Sequence, residues 1–466
     1  MTDGSLNLPY IPETITVHLG SPTSGAENVT VDFPYYVKNA ASSEIYPTWP
    51  EAALRANILA IISFALNRVY TEYYPSRGYN FNITNDTTID QSFVRGRDTY
   101  ENIGAIVDEI FDSYIRREGA IEPLYALYCN GTTSTTCAGL SQWGSVTLAD
   151  EGMGALEILS YYYGDIELVT DAPVEGITES VPSFILRLGS AGNEVEAIQI
   201  KLNRISKNYP AIPKINPVDG IFGTQTDAAV REFQSIFNLT ADGLVGRATW
   251  YAIARVFAAV KRLNDLESEG LTEDEITNIY STLKVGDTGN YVREVQYLLS
   301  FAAEFNDFIP YIEIDGIFGE KTEAAVEAFQ TYYGLPATGE VDSATWTGLY
   351  LTYRSYLSSL GDDYFDSSTV PYPGYPQRLG EESDAVAALQ EYLSLISTVY
   401  AEITSPEVTG TFDEATERSV EEFQSYFGLP VTGIASAYTW NAITDAYRSI
   451  FDGNLASGTQ YPGADE

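Results

Sequence analysis

Apolar residues recur at helical spacing through the second half of the chain. Positions three and four apart lie on one face of a helix with 3.6 residues per turn. The positions that share such a face are Ala197, Ile198 and Leu202 in one stretch, Ala229, Val230 and Phe233 in the next, and Val295, Leu298 and Leu299 further on. This half of the chain is therefore predicted to consist of short amphipathic helices.

The first part of the chain has a mixed pattern. Apolar and polar residues alternate over 14–19 and 29–31, which predicts two strands. A long apolar run at about 50–70 predicts a helix, with Thr48 as its cap and Pro50 in its first turn. We therefore expect a multidomain α+β protein, with an N-terminal α+β domain over 9–171 and small all-α modules behind it.

One short motif occurs three times in the helical half. It reads Asp-Gly-Ile-Phe-Gly at 219–223 and 315–319, and Thr-Gly-Thr-Phe-Asp at 409–413. A Phe-Gln pair and then a tryptophan follow each motif at the same interval; they are Phe233-Gln234, Phe329-Gln330 and Phe423-Gln424, and Trp250, Trp346 and Trp440. Glycine permits the tight turn, and a large aromatic residue supplies much of a small core. We expect Gln234 and Trp250 to be turn and core residues.

These three segments resemble the PG-binding 1 family of peptidoglycan-binding modules, which have three helices. The resemblance implies three modules, over 183–262, 281–356 and 376–452, that bind peptidoglycan. The third copy departs most from the pattern, because Thr409 replaces Asp and Asp413 replaces Gly.

Two blocks of the N-terminal part suggest a second family. The first block runs from Glu44 through Trp49-Pro50 into Glu-Ala-Ala-Leu at 51–54, and the second is Ala-Gly-Leu-Ser-Gln-Trp-Gly at 138–144. In this order they resemble the family of stage II sporulation protein D and the amidase enhancers. The resemblance implies a lytic transglycosylase that acts on peptide-free glycan strands, with Glu44 as its acid/base. Ser141, Gln142, Trp49 and Trp143 are then expected to bind the sugar chain.

A single carboxyl group is chemically sufficient for that reaction. A glycoside hydrolase needs a second carboxylate for water or for a covalent intermediate. In a lytic enzyme the sugar's own hydroxyl attacks, so one group can donate a proton and then accept one. Apolar neighbours such as Ile45, Tyr46 and Trp49 are expected to raise the pKa of Glu44.

The cysteine and histidine content departs from the second family. Its members carry a zinc site of Cys and His, whereas this chain has a single histidine, His18, and Thr136 stands where the family has His. We therefore expect no metal and no cofactor. Cys129 and Cys137 are spaced for a local disulfide, and two buried free thiols are the alternative. His18 is expected on the surface of its strand.

Charge and composition make some classes of binding partner improbable. The chain has 65 acidic and 25 basic residues and a formal net charge of -40, which disfavours nucleic acid and anionic membranes. No apolar window approaches the ~20 residues of a membrane-spanning helix, so no membrane insertion is expected. No signal peptide is recognised at residues 1–10. The expected location is the cell wall or the spore surface, with peptidoglycan glycan strands as the partner.

A second interpretation is open. The chain could be a structural scaffold, such as a spore-coat or appendage protein, that keeps these folds without the chemistry. The missing metal ligands, the strong negative charge and the 35 tyrosines favour it. A homo-oligomer or coat assembly would then be expected, with residues such as Tyr332, Tyr333, Tyr372 and Tyr375 on the surface.

Overall fold

The chain forms two compact units. The computed structural model describes residues 9–132, 138–182, 184–272, 275, 282–306, 308–359, 372–373 and 376–451. Unit 1 consists of residues 1–183 and 247–277, and unit 2 of residues 184–246 and 278–466. Residues 247–262, expected in the first module, thus group with unit 1. The domain boundaries given above stay predictions.

All of the described strands lie in unit 1 and form small sheets. The strands are β1 Ile11–Pro12, β2 Thr14–His18, β3 Asn28–Asp32, β4 Ile83–Thr84, β5 Tyr114–Arg117, β6 Tyr128–Cys129, β7 Leu140–Ser141, β8 Ile166–Val169 and β9 Val174–Glu175. The largest sheet has the order β3-β2-β4, with β2 antiparallel to β3 and parallel to β4. The other pairs are β1 with β9, β5 with β8, and β6 with β7.

The α-helices are spread over both units. They are α1 Phe33–Glu44, α2 Glu51–Tyr70, α3 Glu101–Ile110, α4 Gln142–Asp150, α5 Ala155–Tyr163, α6 Asn193–Ser206, α7 Thr224–Ile236, α8 Arg247–Val260, α9 Asn290–Ala303, α10 Glu320–Tyr332, α11 Ser343–Ser359, α12 Asp384–Ser397, α13 Glu414–Tyr426 and α14 Ala437–Phe451. A mixed α+β region followed by helical modules was predicted, and this fold class is confirmed.

Helix α2 is the centre of unit 1. Its apolar residues point in nearly every direction, and those from Ala53 to Val69 are almost all buried. Contrary to the expectation that no apolar window reaches that length, α2 is, among the described residues, long and apolar enough to span a membrane, but 89% of that window lies inside the protein. Burial on all sides accounts for its composition, because a helix surrounded by core has no polar face.

Two local expectations for unit 1 were wrong, and one helix was not anticipated. Residues 33–44 form helix α1, whereas no helix was predicted there. Pro50 occupies the position before α2, so Thr48 does not cap it. His18 is buried, since its ring stacks on Phe81 and its nitrogens contact Asn28 and Ser24. The Phe81 ring covers His18, and the alternation of apolar and polar residues along the strand does not show such a contact.

In unit 2, two buried glutamines clamp the repeated turns. Gln199 donates to the carbonyl of Ile221 and accepts from the N–H of Gly220, so one amide holds both sides of the turn. Gln234 does the same for the carbonyl of Leu244 and the N–H of Gly243. The matching glutamines of the other repeats, Gln296, Gln390, Gln330 and Gln424, make the same contacts. The glutamines are therefore structural.

The third repeat compensates for its two substitutions. The Thr409 hydroxyl accepts from the N–H of Thr411, as the Asp315 carboxylate accepts from Ile317. Asp413 caps helix α13 by accepting from the N–H of Thr416. The turn therefore survives with different side chains, because either oxygen can accept from the same N–H.

The repeats in unit 2 share one core. The tyrosines of α11 reach the first repeat, where Tyr350 donates to Asn193 and Tyr353 to the carbonyl of Gly189. The ring of Phe305 packs against Tyr438 of the third repeat at 5.4 Å. The three repeats therefore stabilise one another.

The expected tyrosine-rich surface is present only in part. Tyr332 and Tyr333 are exposed on the second repeat. Tyr372 was wrongly expected there, since it is buried and its ring packs against Trp440. Tyr375 lies outside the described residues.

Candidate functional site

Glu44 is the last residue of α1, and its carboxyl group contacts two other segments. Oε1 accepts a hydrogen bond from the backbone N–H of Ser92 at 2.6 Å. Oε2 lies 3.4 Å from Nε2 of Gln142, the first residue of α4. The two sequence blocks, 98 residues apart, therefore meet at this carboxyl group.

The environment favours the protonated form of Glu44. Burial of the carboxyl group raises its pKa to about 7, although the nearby Tyr128 hydroxyl and hydrogen bonds from Ser92 and Gln142 lower it. The residue as a whole is partly exposed, so the carboxyl group is enclosed without being sealed from solvent. Near neutral pH, about half of such groups carry a proton, which suits an acid that must also act as a base.

A polar network closes the inner side of the carboxyl group. The Tyr36 hydroxyl donates to Gln91 at 2.8 Å, and Gln91 donates to the carbonyl of Ile61. The buried Tyr128 hydroxyl is close enough to lower the pKa of Glu44, yet it makes no geometrically complete hydrogen bond. Burial, and with it the charge of Glu44, raises the pKa of Tyr36 and of Tyr128, so these hydroxyls lie near its carboxyl group.

Three aromatic rings lie next to this site and lead to the surface. The ring of Trp143 is 5.0 Å from that of Trp49 and 5.8 Å from that of Tyr46. Tyr46 is 57% exposed and Trp143 43% exposed, whereas Trp49 is buried beneath them. We call Tyr46, Trp49 and Trp143 the aromatic platform. Aromatic faces of this kind pack well against the apolar faces of sugar rings.

Helix α4 positions Gln142 and Trp143. Its start is capped by Ser141, whose Oγ accepts from the N–H of Gly144 at 3.1 Å. Asn57 of α2 donates to Ser145, which in turn donates to the carbonyl of Gln142. Ser141 therefore has a structural task, and its expected role in sugar binding stays a prediction.

The expected disulfide and the expected absence of a metal both depend on the segment before α4. Cys129 is disulfide-bonded, whereas Cys137 and Thr136 lie outside the described residues. Within the ranges that the structure covers, no group of three or more His, Cys, Asp or Glu side chains is placed to hold a metal ion. The disulfide pairing and the absence of a metal stay predictions.

Sequence reasoning missed three contributors to the site. The Ser92 N–H contacts the carboxyl group from a loop without any motif. Tyr46 was considered only as an apolar neighbour, and Tyr128 was not considered. The one feature of the sequence that could have pointed to Tyr46 and Tyr128 was the high density of aromatic residues around the two blocks.

Comparison with known families assigns the repeats. Residues 191–253, 288–349 and 382–443 each match the PG_binding_1 model, described as a peptidoglycan binding domain. The chain carries three peptidoglycan-binding repeats. The prediction of this family is confirmed, and the same matches indicate association with the cell wall.

Similar proteins include cell-wall enzymes. The N-acetylmuramoyl-L-alanine amidase CwlL of Bacillus licheniformis is 33% identical over 164 residues, which is 34% of this chain and 44% of that protein. The zinc D-Ala-D-Ala carboxypeptidase of Streptomyces albus G is 42% identical over 71 residues, 15% of this chain and 26% of that protein. The chain thus spans less than half the length of these relatives. It is homologous to cell-wall amidases over that part.

Proposed function

We propose that this protein is a lytic transglycosylase that cleaves peptide-free glycan strands of peptidoglycan and is held on the wall by its three repeats. The observation that supports this most is the Glu44 carboxyl group, which has its pKa raised to about 7 by burial. It faces the Gln142 amide beside the aromatic platform.

One carboxyl group performs both proton transfers in this proposal. Protonated Glu44 donates its proton to the glycosidic oxygen, and the bond from that oxygen to the anomeric carbon of muramic acid breaks. The C6 hydroxyl of the same sugar then attacks the anomeric carbon, and its proton passes to the Glu44 carboxylate. The product is a 1,6-anhydro ring, no water is consumed, and Glu44 regains its proton.

The other residues bind and orient the sugar chain. Tyr46 and Trp143 offer exposed faces on which sugar rings can stack. Gln142 can donate one amide N–H to Glu44 and the other to a sugar hydroxyl or acetamido group. Linked repeats that bind the same polymer would lengthen residence on the wall, because the second binding event is intramolecular.

The test is to incubate the full chain with peptide-free glycan strands and to analyse the ends by mass spectrometry. Fragments ending in 1,6-anhydro-muramic acid are expected. Reducing ends alone would indicate a hydrolase and refute the proposal. Release of peptides from intact sacculi would instead indicate the amidase activity that the relatives' names describe.

A non-catalytic scaffold is the second candidate, and one surface feature favours it. Phe308 is 75% exposed, and its ring stacks on exposed Tyr332 at 5.9 Å. Aromatic rings exposed together commonly mark contact surfaces. Sedimentation velocity over a range of concentrations tests this candidate, which predicts assembly of the protein without any wall polymer.

A further inference from the structure

Four acidic side chains lie together where the first and second repeats meet in unit 2. Glu194 and Glu196 belong to α6 of the first repeat, and Asp219 belongs to the clamped turn of the same repeat. Glu294 belongs to α9 of the second repeat, and the other three carboxyl groups all act electrostatically on it. Glu194, Glu196 and Glu294 are only 3%, 7% and 1% exposed, so these acidic groups are held together away from solvent.

The acid on α9 has no counterpart in the other two repeats. Counted from the glutamine that clamps each turn, Glu294 occupies the position where the first and third repeats have Ala197 and Ala388. Both alanines are buried, as Glu294 is. The helix therefore packs in the sister repeats without a carboxyl group at this position, so the fold of the module does not itself require Glu294.

The carboxyl group of Glu294 is enclosed by both repeats. A Cβ added at Gly220, in the turn of the first repeat, would lie 3.0 Å from the carboxyl carbon and 3.0 and 3.1 Å from its two oxygens. The carboxyl group thus packs directly against that glycine. Its Oε1 also lies 2.5 Å from the hydroxyl of Tyr350, on α11 of the second repeat. Separation of the two repeats would expose this group to water.

The Tyr350 hydroxyl is shared by two oxygens. It lies 2.7 Å from Oδ1 of Asn193, on α6, and 2.5 Å from Oε1 of Glu294. A phenol has one proton to donate. With the Asn193 side chain in this orientation, both contacts are hydrogen bonds only when Glu294 is protonated and donates to the Tyr350 oxygen. When Glu294 is ionised, Tyr350 can donate to only one of the two oxygens, and one hydrogen bond across the contact is lost.

The surroundings favour the neutral form of the two inner acids. Burial raises the pKa of Glu294 well above its usual range, and the charge of Glu196 raises it further, although a hydrogen bond from Tyr350 opposes this. Burial raises the pKa of Glu196 to about 7, although the nearby Tyr291 hydroxyl opposes this. Both groups are therefore largely neutral in acid and ionise as the pH rises through and above neutrality.

Two arginines face this contact, and each acts on one of the outer acids. Arg354 of α11 pairs with Glu194, and the charge of Arg293 on α9 favours the ionised form of Asp219. Lys201 lies two helical turns beyond Glu194, about 10 Å along α6. The two inner acids form no salt bridge within the described ranges of the chain. Their ionisation would therefore place two uncompensated negative charges next to each other.

We propose that the contact between the first and second repeats is a latch, formed by Glu196 and Glu294 against Tyr350, that is closed in acid and opens as the pH rises above neutrality. The proposal is independent of Glu44 and of glycan cleavage. Each repeat keeps its own fold when the latch opens. Linked modules bind one polymer together only when their geometry lets both engage, so the latch would set the spacing at which these two repeats can bind the wall.

Hydrogen exchange of the full chain, followed by mass spectrometry at pH 5.5 and 8.5, tests the latch. Protection is corrected for the intrinsic exchange rate at each pH, and α13 of the third repeat serves as the internal reference. Protection of α6 is expected to be at least tenfold lower at pH 8.5, because a group whose pKa is raised in the closed state loses its stabilising effect as the pH rises. Equal protection of α6 at both pH values, or an equal loss in α6 and α13, would refute the proposal.

The main variant is Glu294→Gln, whose amide can still donate to the Tyr350 oxygen but cannot ionise. At pH 8.5 it should retain about tenfold more protection of α6 than the unmodified protein. The double variant with Glu196→Gln should show no loss between the two pH values. Glu304→Gln is the matched control, since it removes a buried acid with a raised pKa from the contact between the second and third repeats. It should keep the full loss in α6, and a loss that persists in the double variant would overturn the proposal.

Two further variants test the contact if Glu294→Gln does not fold. Glu294→Ala places at this position the residue that the first and third repeats have, so α9 should form, and protection of α6 should again depend less on pH. Tyr350→Phe removes the shared hydroxyl and should lower protection of α6 at pH 5.5 about fivefold, because hydrogen bonds across the contact are lost. Unchanged protection at pH 5.5 in Tyr350→Phe would refute the hydrogen-bond arrangement on which the latch depends.

Discussion

Glu44 of unit 1 and Glu304 of unit 2 have the same acidity but different surroundings. Burial raises the pKa of each carboxyl group to about 7. Glu304 is only 2% exposed and lies beside the hydroxyls of Ser436 and Tyr311, where the second and third repeats pack together. Glu44 instead faces a side-chain amide and borders exposed aromatic rings.

The difference shows that a raised pKa does not by itself identify a catalytic group. Desolvation acts on any enclosed carboxyl group, whatever its task. Glu44 differs from Glu304 in being partly exposed, in having a side-chain amide beside its carboxyl group and in bordering exposed aromatic rings. The comparison therefore predicts different consequences for activity when the same substitution is made at the two positions.

The largest expected effect is on glycan cleavage. Glu44→Gln should lower the release of anhydro ends by a factor of about 10² to 10⁴, since it removes the proton donor and acceptor. Glu304→Gln is the matched control, because it changes another buried acid with the same pKa, and it should leave the rate unchanged. Mass analysis of the released ends measures both. Equal losses in the two variants would contradict the assignment to Glu44.

This contrast was only partly predictable from the sequence. Glu44 and Gln142 could be placed at one site because each lies in a recognisable block. Glu304 could not, since it follows the end of α9 and is buried only by residues such as Ser436, far along the chain. Helical periodicity describes which face of a helix is buried within its own module, but not which modules pack together.

Helix α1, which ends at Glu44, was also not predictable from the sequence pattern. The residues before Glu44 are Ala40, Ala41, Ser42 and Ser43, which have no distinct periodic pattern. The first three are buried against the core of unit 1, and this packing decides their conformation. The contact of the Ser92 N–H with Glu44 is also decided by tertiary structure. Any loop residue can supply a backbone donor, so the sequence does not show which one will do so.

The second effect is on stability, and here the two acids should behave alike. The folded-state pKa of Glu304, about 7, lies above the unfolded value, so its favourable contribution is complete below pH 4.5 and is lost as the pH rises through 7. The stability of Glu304→Gln relative to the unmodified protein should therefore be higher at pH 8 than at pH 4, by up to about 3 kcal/mol.

Thermal or urea unfolding at the two pH values measures this effect. Glu44→Gln should show a similar dependence on pH, because the folded-state pKa of Glu44 is also about 7. A gain for Glu304→Gln that is independent of pH would show that the carboxyl group is not titrating in the folded protein.

The aromatic platform provides the third test. Trp143→Ala should raise KM for glycan strands about tenfold, because one stacking surface is lost, worth about 1.4 kcal/mol. The variant should also lose some stability, since this ring is only 43% exposed and packs against Trp49, so KM is measured at a temperature where both proteins are folded. Tyr161→Ala is the control, because it removes an exposed aromatic ring from α5 of the same unit. An unchanged KM for Trp143→Ala would remove the platform from the binding site.

The smallest expected effect concerns the pH profile. Glu44 must be protonated to donate, so the rate should fall as the pH rises through 7. The Gln142 amide lowers the pKa of Glu44 by favouring the carboxylate. In Gln142→Met this hydrogen bond is lost, and the alkaline limb should move upward by about half a pH unit.

The position of the limb, rather than the rate, is the informative quantity, since Gln142 is also proposed to contact the sugar. Thr147→Val is the control because it changes an exposed residue of the same helix, and it should leave the limb in place. A limb that moves downward in Gln142→Met would mean that the amide favours the protonated acid. That outcome would contradict donation from the Gln142 amide to the Glu44 carboxylate.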